Sequence, residues 1–318
     1  MASYIVRRVL LLIPTFLILT VLVFVFVRLM PGDIITLMAV SAPHEGTNQL
    51  DTTAIEHMLG LDKPAATQYW EFLTRLLRGD MGNSLWSHNR VTPDVLARIP
   101  VTFELGFVAF VIAQLVAFPV GILSAVRQDS IPDYIARGIT ILFVAAPIFW
   151  LGTMVVIFPS IWWHWSPPLQ YISPGQNIGL NMVQFLVPGA ILGIGMAALE
   201  MRMLRTTMLD ILRQDYVRTA WAKGLKERAV ITKHVLRNAA LPVVTIISGQ
   251  IPVMIGGSVI LEQIFNLPGM GRLFVDSITQ RDYPYVMGMN ALFCVVGLVV
   301  ILLCDLSYAW LDPRIRYS

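Results

Sequence analysis

Charge is scarce in this sequence. Charged residues make up 14% of its 318 residues, whereas hydrophobic residues make up 56%. A soluble domain usually carries about 25% charged residues. This deficit excludes an ordinary soluble domain and predicts an all-α integral membrane protein, since long apolar helices satisfy their own backbone in lipid.

Cysteine is also scarce, and the usual catalytic patterns are missing. The two cysteines, Cys294 and Cys304, lie in the last apolar run. Ten residues of helix separate them by about 15 Å, too far for a disulfide. The sequence contains no phosphate-binding loop, no H-E-x-x-H and no paired-cysteine metal spacing. We therefore expect a chain that is no enzyme and holds no metal or cofactor.

Six runs are long and apolar enough to cross a bilayer as helices. Five prolines within or beside them predict kinks: Pro14, Pro119, Pro147, Pro188 and Pro252. The first run has 19 uncharged residues, more than a signal-peptide core, so we predict a retained span. The six predicted spans are Val9–Val27, Leu105–Val126, Gly138–Phe158, Val183–Leu199, Val243–Leu261 and Val286–Leu303.

The distribution of lysine and arginine predicts the orientation of these spans. The segment 200–241 holds nine basic residues, whereas the loop 159–182 holds none. Basic residues favour the cytoplasmic side, so both termini and the segment 200–241 are predicted to be cytoplasmic. Acidic residues interrupt the basic ones, and the segment lies between spans, so we do not expect nucleic acid as a partner. Membrane lipid is an expected partner of a chain with six spans.

The long loop that follows the first span is predicted to be folded. Helix-start signals occur at Lys63-Pro64 and at Thr92-Pro93, and apolar residues recur at helical spacing between them. Either a small amphipathic cap or a docking surface for an external partner fits this pattern. We divide the chain into a first span at 1–30, an extracytoplasmic loop at 31–99 and a core with five spans at 100–311.

The segment 207–242 is the most polar long stretch in the second half. Its pattern predicts an amphipathic helix over Met208–Lys223, a turn at Gly224 and a second helical run over Lys226–Asn238 before Leu241-Pro242. Two interpretations fit: a helix lying flat on the membrane, or a lever pushed by another protein.

Polar residues within or beside the apolar runs are candidates for a substrate cavity, although hydrogen bonds between helices explain them equally well. A Gly189-x-x-x-Gly193 pattern in the fourth span indicates close helix packing. The cavity candidates are Gln114, Ser248, Gln250, Ser258 and Glu262.

Short motifs throughout the chain resemble the peptide and nickel branch of binding-protein-dependent ABC importer permeases. Arg218-Thr-Ala220, Gly224 and Leu241-Pro242 are similar to the EAA loop of that family, with Arg218 and Thr219 replacing its Glu-Ala. Other similar motifs, in order, are Tyr4-Ile-Val-Arg-Arg-Val9, Arg28-Leu-Met-Pro-Gly-Asp33, Leu59-Gly-Leu-Asp-Lys-Pro64, Arg78-Gly-Asp-Met-Gly82, Phe265-Asn-Leu-Pro-Gly-Met-Gly-Arg272, Arg281-Asp-Tyr-Pro284 and Leu311-Asp-Pro-Arg314.

The resemblance implies a type I ABC importer permease fold in the bacterial cytoplasmic (inner) membrane, as the B-type first permease. It implies three kinds of partner: a homologous second permease, two cytoplasmic ABC ATPase subunits that hold ATP and Mg²⁺, and an extracytoplasmic substrate-binding protein. The implied ATPase-coupling residues are Leu212, Arg213, Tyr216, Arg218, Thr219, Ala220, Trp221 and Gly224.

Some questions stay open at this point. The Gly/Pro-rich loop after the fifth span either docks the binding protein or packs back on the bundle. Its docking candidates are Phe265, Asn266, Pro268, Gly269 and Gly271. Di- and oligopeptides are the expected substrates, with nickel, glutathione or oligosaccharide as alternatives. An ion-coupled secondary transporter is the alternative from another class.

Overall fold

A computed structural model describes residues 2–29, 62–168 and 170–311. Within these ranges the regular structure is helical, apart from one isolated antiparallel bridge between Asn83 and Arg90. The helices are α1 (Ala2–Leu29), α2 (Ala65–Leu77), α3 (Val91–Val126), α4 (Ile131–Ala145), α5 (Ile148–Trp163), α6 (Ile178–Leu212), α7 (Asp215–Ala222), α8 (Glu227–Ala229), α9 (Arg237–Ile264), α10 (Met270–Gln280) and α11 (Tyr283–Leu311).

The helices confirm the membrane prediction. Five helices of the described chain are long and apolar enough to span a bilayer, and a bent pair, α4 with α5, raises the number to six when it counts as one span. Each predicted span lies within one of these helices or, for the third, within the bent pair. The predicted loop residues 30–61 lie outside the described residues.

The third predicted span differs from the prediction of one kinked helix. The axes of α4 and α5 form an angle of 98° at a break over Ala146 and Pro147. Ala146 has extended backbone angles, φ −79° and ψ 126°. A proline disfavours the helical conformation of the residue before it and cannot donate a backbone hydrogen bond, which explains the break.

The described chain forms two compact units. Of the described residues, one unit comprises 99–168 and 170–272 with 2–5 and 299–311, and the other comprises 6–29 and 62–98 with 273–298. In the first unit, α6 and α3 approach closely because α6 presents Gly189 and Gly193, which have no side chain, to Val108 and Ala109 of α3. A Cβ at Gly193 would lie 2.4 Å from the Ala109 carbonyl oxygen, and one at Gly189 would lie 2.6 Å from Val108 Cγ1. The close contact expected from the G-x-x-x-G pattern is confirmed.

In the second unit, the described part of the outer loop is folded as predicted. Helix α2 buries Phe72 and Leu73, and α3 begins at the second start signal. Asp282 accepts hydrogen bonds from Ser84 Oγ (2.5 Å) and from the Leu85 backbone amide (3.1 Å). Burial raises the pKa of Asp282, an effect that these two hydrogen bonds oppose.

Candidate functional site: the coupling segment

The segment 207–242 contains two helices where the pattern predicted one over Met208–Lys223. Helix α6 ends at Leu212, and α7 covers only Asp215–Ala222. Gln214 between them is extended, with φ −73° and ψ 147°. Asp215 then places a carboxylate in the first turn of α7, where the helix dipole favours negative charge. Met208 and Leu212 therefore belong to the spanning helix rather than to the short one.

A glycine turn follows α7, as predicted. Gly224 has φ +76°, and its amide donates to the Trp221 carbonyl at 2.9 Å. The Leu225 amide donates to the Ala220 carbonyl at 3.4 Å. A Cβ on Gly224 would meet no atom within 4 Å. The requirement for glycine here is therefore a requirement of backbone conformation.

The second helical run is not separate from the fifth span. Helix α8 continues through a π-helical stretch, Val230–Leu236, directly into α9. Pro242, predicted to mark the start of the span, lies inside α9. Seven residues of π-helix are unusual, since such segments are mostly single turns found at functional sites. The turn at Gly224 thus leads into one continuous rod that enters the membrane.

One face of α7 is fixed to this rod and to α6. Val217 is fully buried and Ala220 is 6% exposed; both pack in a cluster with Met208, Val230 and Val235. On the flank of α7, the Tyr216 hydroxyl accepts a hydrogen bond of 2.9 Å from Asn238 Nδ2. The Ala220 side chain faces inward in this chain, and its predicted role in ATPase coupling stays a prediction.

The remaining surface of α7 is open in this chain, with Trp221 and Tyr216 on its two flanks and Arg218 and Thr219 opposite the buried face. Trp221 is 42% exposed, Tyr216 is 44% exposed, and Arg218 and Thr219 are exposed. The ion pair between Arg218 and Asp215 is long, 3.7 Å, and both side chains are solvated, so it contributes little. The Trp221 ring, Leu212 and Arg213 line a groove of about 250 Å³ beside this face. Seven of the eight predicted coupling residues thus lie on the open face, the groove or the turn.

The predicted docking loop is mostly interior. Phe265 is 2% exposed, and Gly269 and Gly271 are buried. Only Asn266 is exposed, and Pro268 is partly so. Direct contact with a binding protein therefore has most room at Asn266 and Pro268, and the docking role of all five residues stays a prediction.

The predicted cavity residues are occupied by contacts within the helix bundle. Gln114 Nε2 donates to Glu200 at 2.9 Å, and Ser248 donates to the Val244 carbonyl at 2.8 Å. Gln250, Ser258 and Glu262 are buried. None of these five residues lines the groove beside Trp221. Their role in a substrate path remains a prediction.

Several residues of the site escaped the sequence reasoning. Val217, Val230 and Val235 form the base under α7. The signal for Val217 was present, because it stands three residues before Ala220 on the same helical face. No sequence pattern indicates the hydrogen bond between Tyr216 and Asn238. It forms only because the turn at Gly224 brings α7 against the start of α9.

Comparison with known families agrees with this arrangement. Residues 117–317 match the family described as "Binding-protein-dependent transport system inner membrane component", and residues 1–106 match the N-terminal family of the same systems. The chain belongs to this permease family. It is accordingly a multi-pass inner-membrane component without catalytic function of its own, which works with an ATPase and a binding protein.

Curated relatives match the permease over its full length. It is 40% identical to the oligopeptide transport system permease protein AppB of Bacillus subtilis and 39% identical to the glutathione transport system permease protein GsiC of Pectobacterium atrosepticum. It is 36% identical to the dipeptide transport system permease protein DppB of Escherichia coli K12. Each alignment covers 100% of both chains.

Solved structures support the fold. An amino acid ABC transporter crystallised with histidines superposes with a TM-score of 0.52 at 16% identity, over 68% of the permease and 92% of that chain. The MetNI methionine ABC transporter superposes with a TM-score of 0.52 at 17% sequence identity. The superposition covers 69% of the permease and 96% of that chain. The all-helical ABC importer permease fold expected from the sequence is confirmed.

Proposed function

We propose that the open face of α7 is the docking surface for one of two cytoplasmic ABC ATPase subunits. The observation that carries this proposal is the two-sided construction of α7. Its inner face packs into a cluster with α6 and with the rod that continues into α9, while its open surface presents Trp221 and Tyr216 on the flanks and Arg218 on the outer side. Aromatic and arginine residues are those most enriched at the energetic centres of interfaces.

A second, homologous permease completes the translocation path in this proposal, and an extracytoplasmic binding protein delivers the substrate. Closure of the ATPase pair on ATP moves α7, and the packed cluster transmits that motion to α6 and α9. Because the cluster is apolar and closely packed, it moves as a unit rather than deforming gradually. Alternating access then follows from the different stability of two such states. We retain the division into 1–30, 31–99 and 100–311 as part of this proposal.

Crosslinking tests the coupling face. In a chain with Cys294 and Cys304 replaced by serine, we expect Trp221→Cys to form a crosslink to an ATPase subunit, with a yield that changes when ATP is added. Ala220→Cys is the matched control, because the neighbouring side chain is buried and should crosslink weakly. Labelling of Trp221→Cys by lipid-embedded probes alone would instead indicate a helix lying on the membrane.

Short peptides are the proposed substrates. The names of the three relatives specify an oligopeptide, a dipeptide and glutathione, all of which are peptides. We expect ATP-driven accumulation of a labelled dipeptide in proteoliposomes that contain the whole transporter. Unlabelled peptides should compete, whereas nickel and an oligosaccharide should not. Accumulation that an ion gradient drives without ATPase subunits would support an ion-coupled secondary transporter instead.

A further inference from the structure

A basic pocket lies between α4 and α6, away from the coupling segment. Its volume is about 440 Å³, within the range of ligand sites in proteins. Three arginines line this pocket, and the rest of its wall is formed by four apolar side chains and two threonines. The lining comprises Arg137, Thr140, Ile141, Val144, Ala145, Met201, Arg202, Arg205 and Thr206.

Only one of the three arginines is neutralised. Arg205 forms a bidentate pair with the fully buried Asp133, at 2.9 Å and 2.7 Å. Arg137 stacks on the Tyr134 ring, 5.6 Å from its centroid. Within the described ranges, no carboxylate lies in ion-pair distance of Arg137 or Arg202. The pocket therefore keeps two positive charges that the described chain does not balance.

The apolar wall is exposed in this chain and follows α4 into the third predicted span. Ile141 is 66% exposed and Val144 is 53% exposed. Arg137 directly precedes the predicted third span, at its predicted cytoplasmic end, so the arginines mark the interface and the aliphatic side chains lie deeper. Basic pockets between helices on the cytoplasmic side are sites at which anionic lipid headgroups bind.

We propose that this pocket binds one anionic phospholipid of the inner leaflet. The phosphate group contacts Arg137 and Arg202, and an acyl chain lies along Ile141 and Val144. The arginines and the aliphatic side chains follow one another in the same order as the phosphate group and the acyl chain of a phospholipid. A phospholipid also fits better than a water-soluble anion, because such an anion has no apolar group to pack against the apolar wall.

Lipid retention by the assembled transporter tests this proposal. The complex is equilibrated in nanodiscs of phosphatidylcholine with a minor fraction of phosphatidylglycerol, and retained lipids are counted by native mass spectrometry. Each basic residue near an anionic surface contributes a factor of roughly five to binding. We therefore expect Arg137→Gln/Arg202→Gln to bind phosphatidylglycerol roughly 25-fold more weakly. Both substitutions leave the Arg205–Asp133 pair intact.

Arg127→Gln/Arg237→Gln is the matched control, because it removes the same charge from exposed positions outside the pocket. Equal retention by the test and control pairs would overturn the proposal. On the unmodified transporter, glycerol 1-phosphate should fail to displace phosphatidylglycerol; efficient displacement would indicate a site for a free phosphate. A crosslink from Val144→Cys, labelled with a photoreactive maleimide, to the second permease would show that protein covers the wall, which would also overturn the proposal.

Discussion

Val217→Asp should abolish coupled uptake while leaving the permease in the membrane. Val217 is fully buried in the cluster that fixes α7 to α6 and to the π-helical stretch. A carboxylate at that position has no cation within the cluster, and burying an unpaired charge costs several kcal/mol. Helix α7 should therefore leave its base, and we expect peptide uptake to fall by about 100-fold or more.

The measurement is ATP-driven peptide uptake in proteoliposomes, beside ATP hydrolysis in the same preparation. Hydrolysis should lose its stimulation by substrate-loaded binding protein, because motion of the ATPase no longer reaches the spans. Thr232→Asp is the control: it adds the same charge at an exposed position of the π-helical stretch and should transport nearly normally. Normal uptake by Val217→Asp would show that the cluster does not transmit force.

The spans and the glycine turn could be predicted from the sequence because each depends on local physics. An uncharged run of sufficient length satisfies its own backbone in lipid as a helix. At Gly224, one left-handed residue after an amphipathic run ends a helix. These signals need no knowledge of distant contacts.

The errors occurred where distant contacts decide the outcome. Apolar residues keep their helical spacing from Met208 to Ala220, across the break at Gln214. Periodicity alone therefore could not predict that the helix is interrupted there. Proline at 147 indicated a kink, but the 98° angle of the bend is not encoded by the proline itself. The Gly/Pro-rich loop around Gly269 indicated a turn. That turn is interior because Phe265 and Leu267 pack in the apolar core and because the Glu262 carboxylate accepts hydrogen bonds there.

Glu262→Leu should destabilise the whole transporter, and it should separate the two interpretations of the 265–271 loop. Thr102 Oγ1 donates to one Glu262 carboxylate oxygen at 2.7 Å, and the Arg272 amide donates to the other at 2.9 Å. The Met270 amide in turn donates to Thr102 Oγ1 at 2.8 Å. The carboxylate thus holds the end of the loop and the start of α10 in place.

Leucine removes both acceptor oxygens, so at least the Thr102 hydroxyl and the partly buried Arg272 amide lose their acceptor. Each such donor costs about 1–3 kcal/mol, so we expect a loss of about 2–6 kcal/mol in the free energy of unfolding. Thermal unfolding of the purified complex measures this loss. Glu262→Gln keeps one acceptor and should lose less, whereas equal stability of both variants and the unmodified protein would contradict the assignment.

Gly269→Ala tests the same contact from the loop side. A Cβ at Gly269 would lie 2.3 Å from Glu262 Cδ, so the carboxyl group must move and part of its hydrogen bonding is lost. Asn266→Gly serves as the docking variant: it removes an exposed side chain and preserves a backbone with φ +54°, which glycine adopts readily. If packing alone explains the loop, Gly269→Ala lowers stability and leaves uptake by the folded fraction unchanged. Asn266→Gly removes an exposed hydrogen bond from Arg272 and should change stability little and uptake not at all. A fall in uptake by Asn266→Gly at unchanged stability would instead establish that the exposed tip of the loop docks the binding protein.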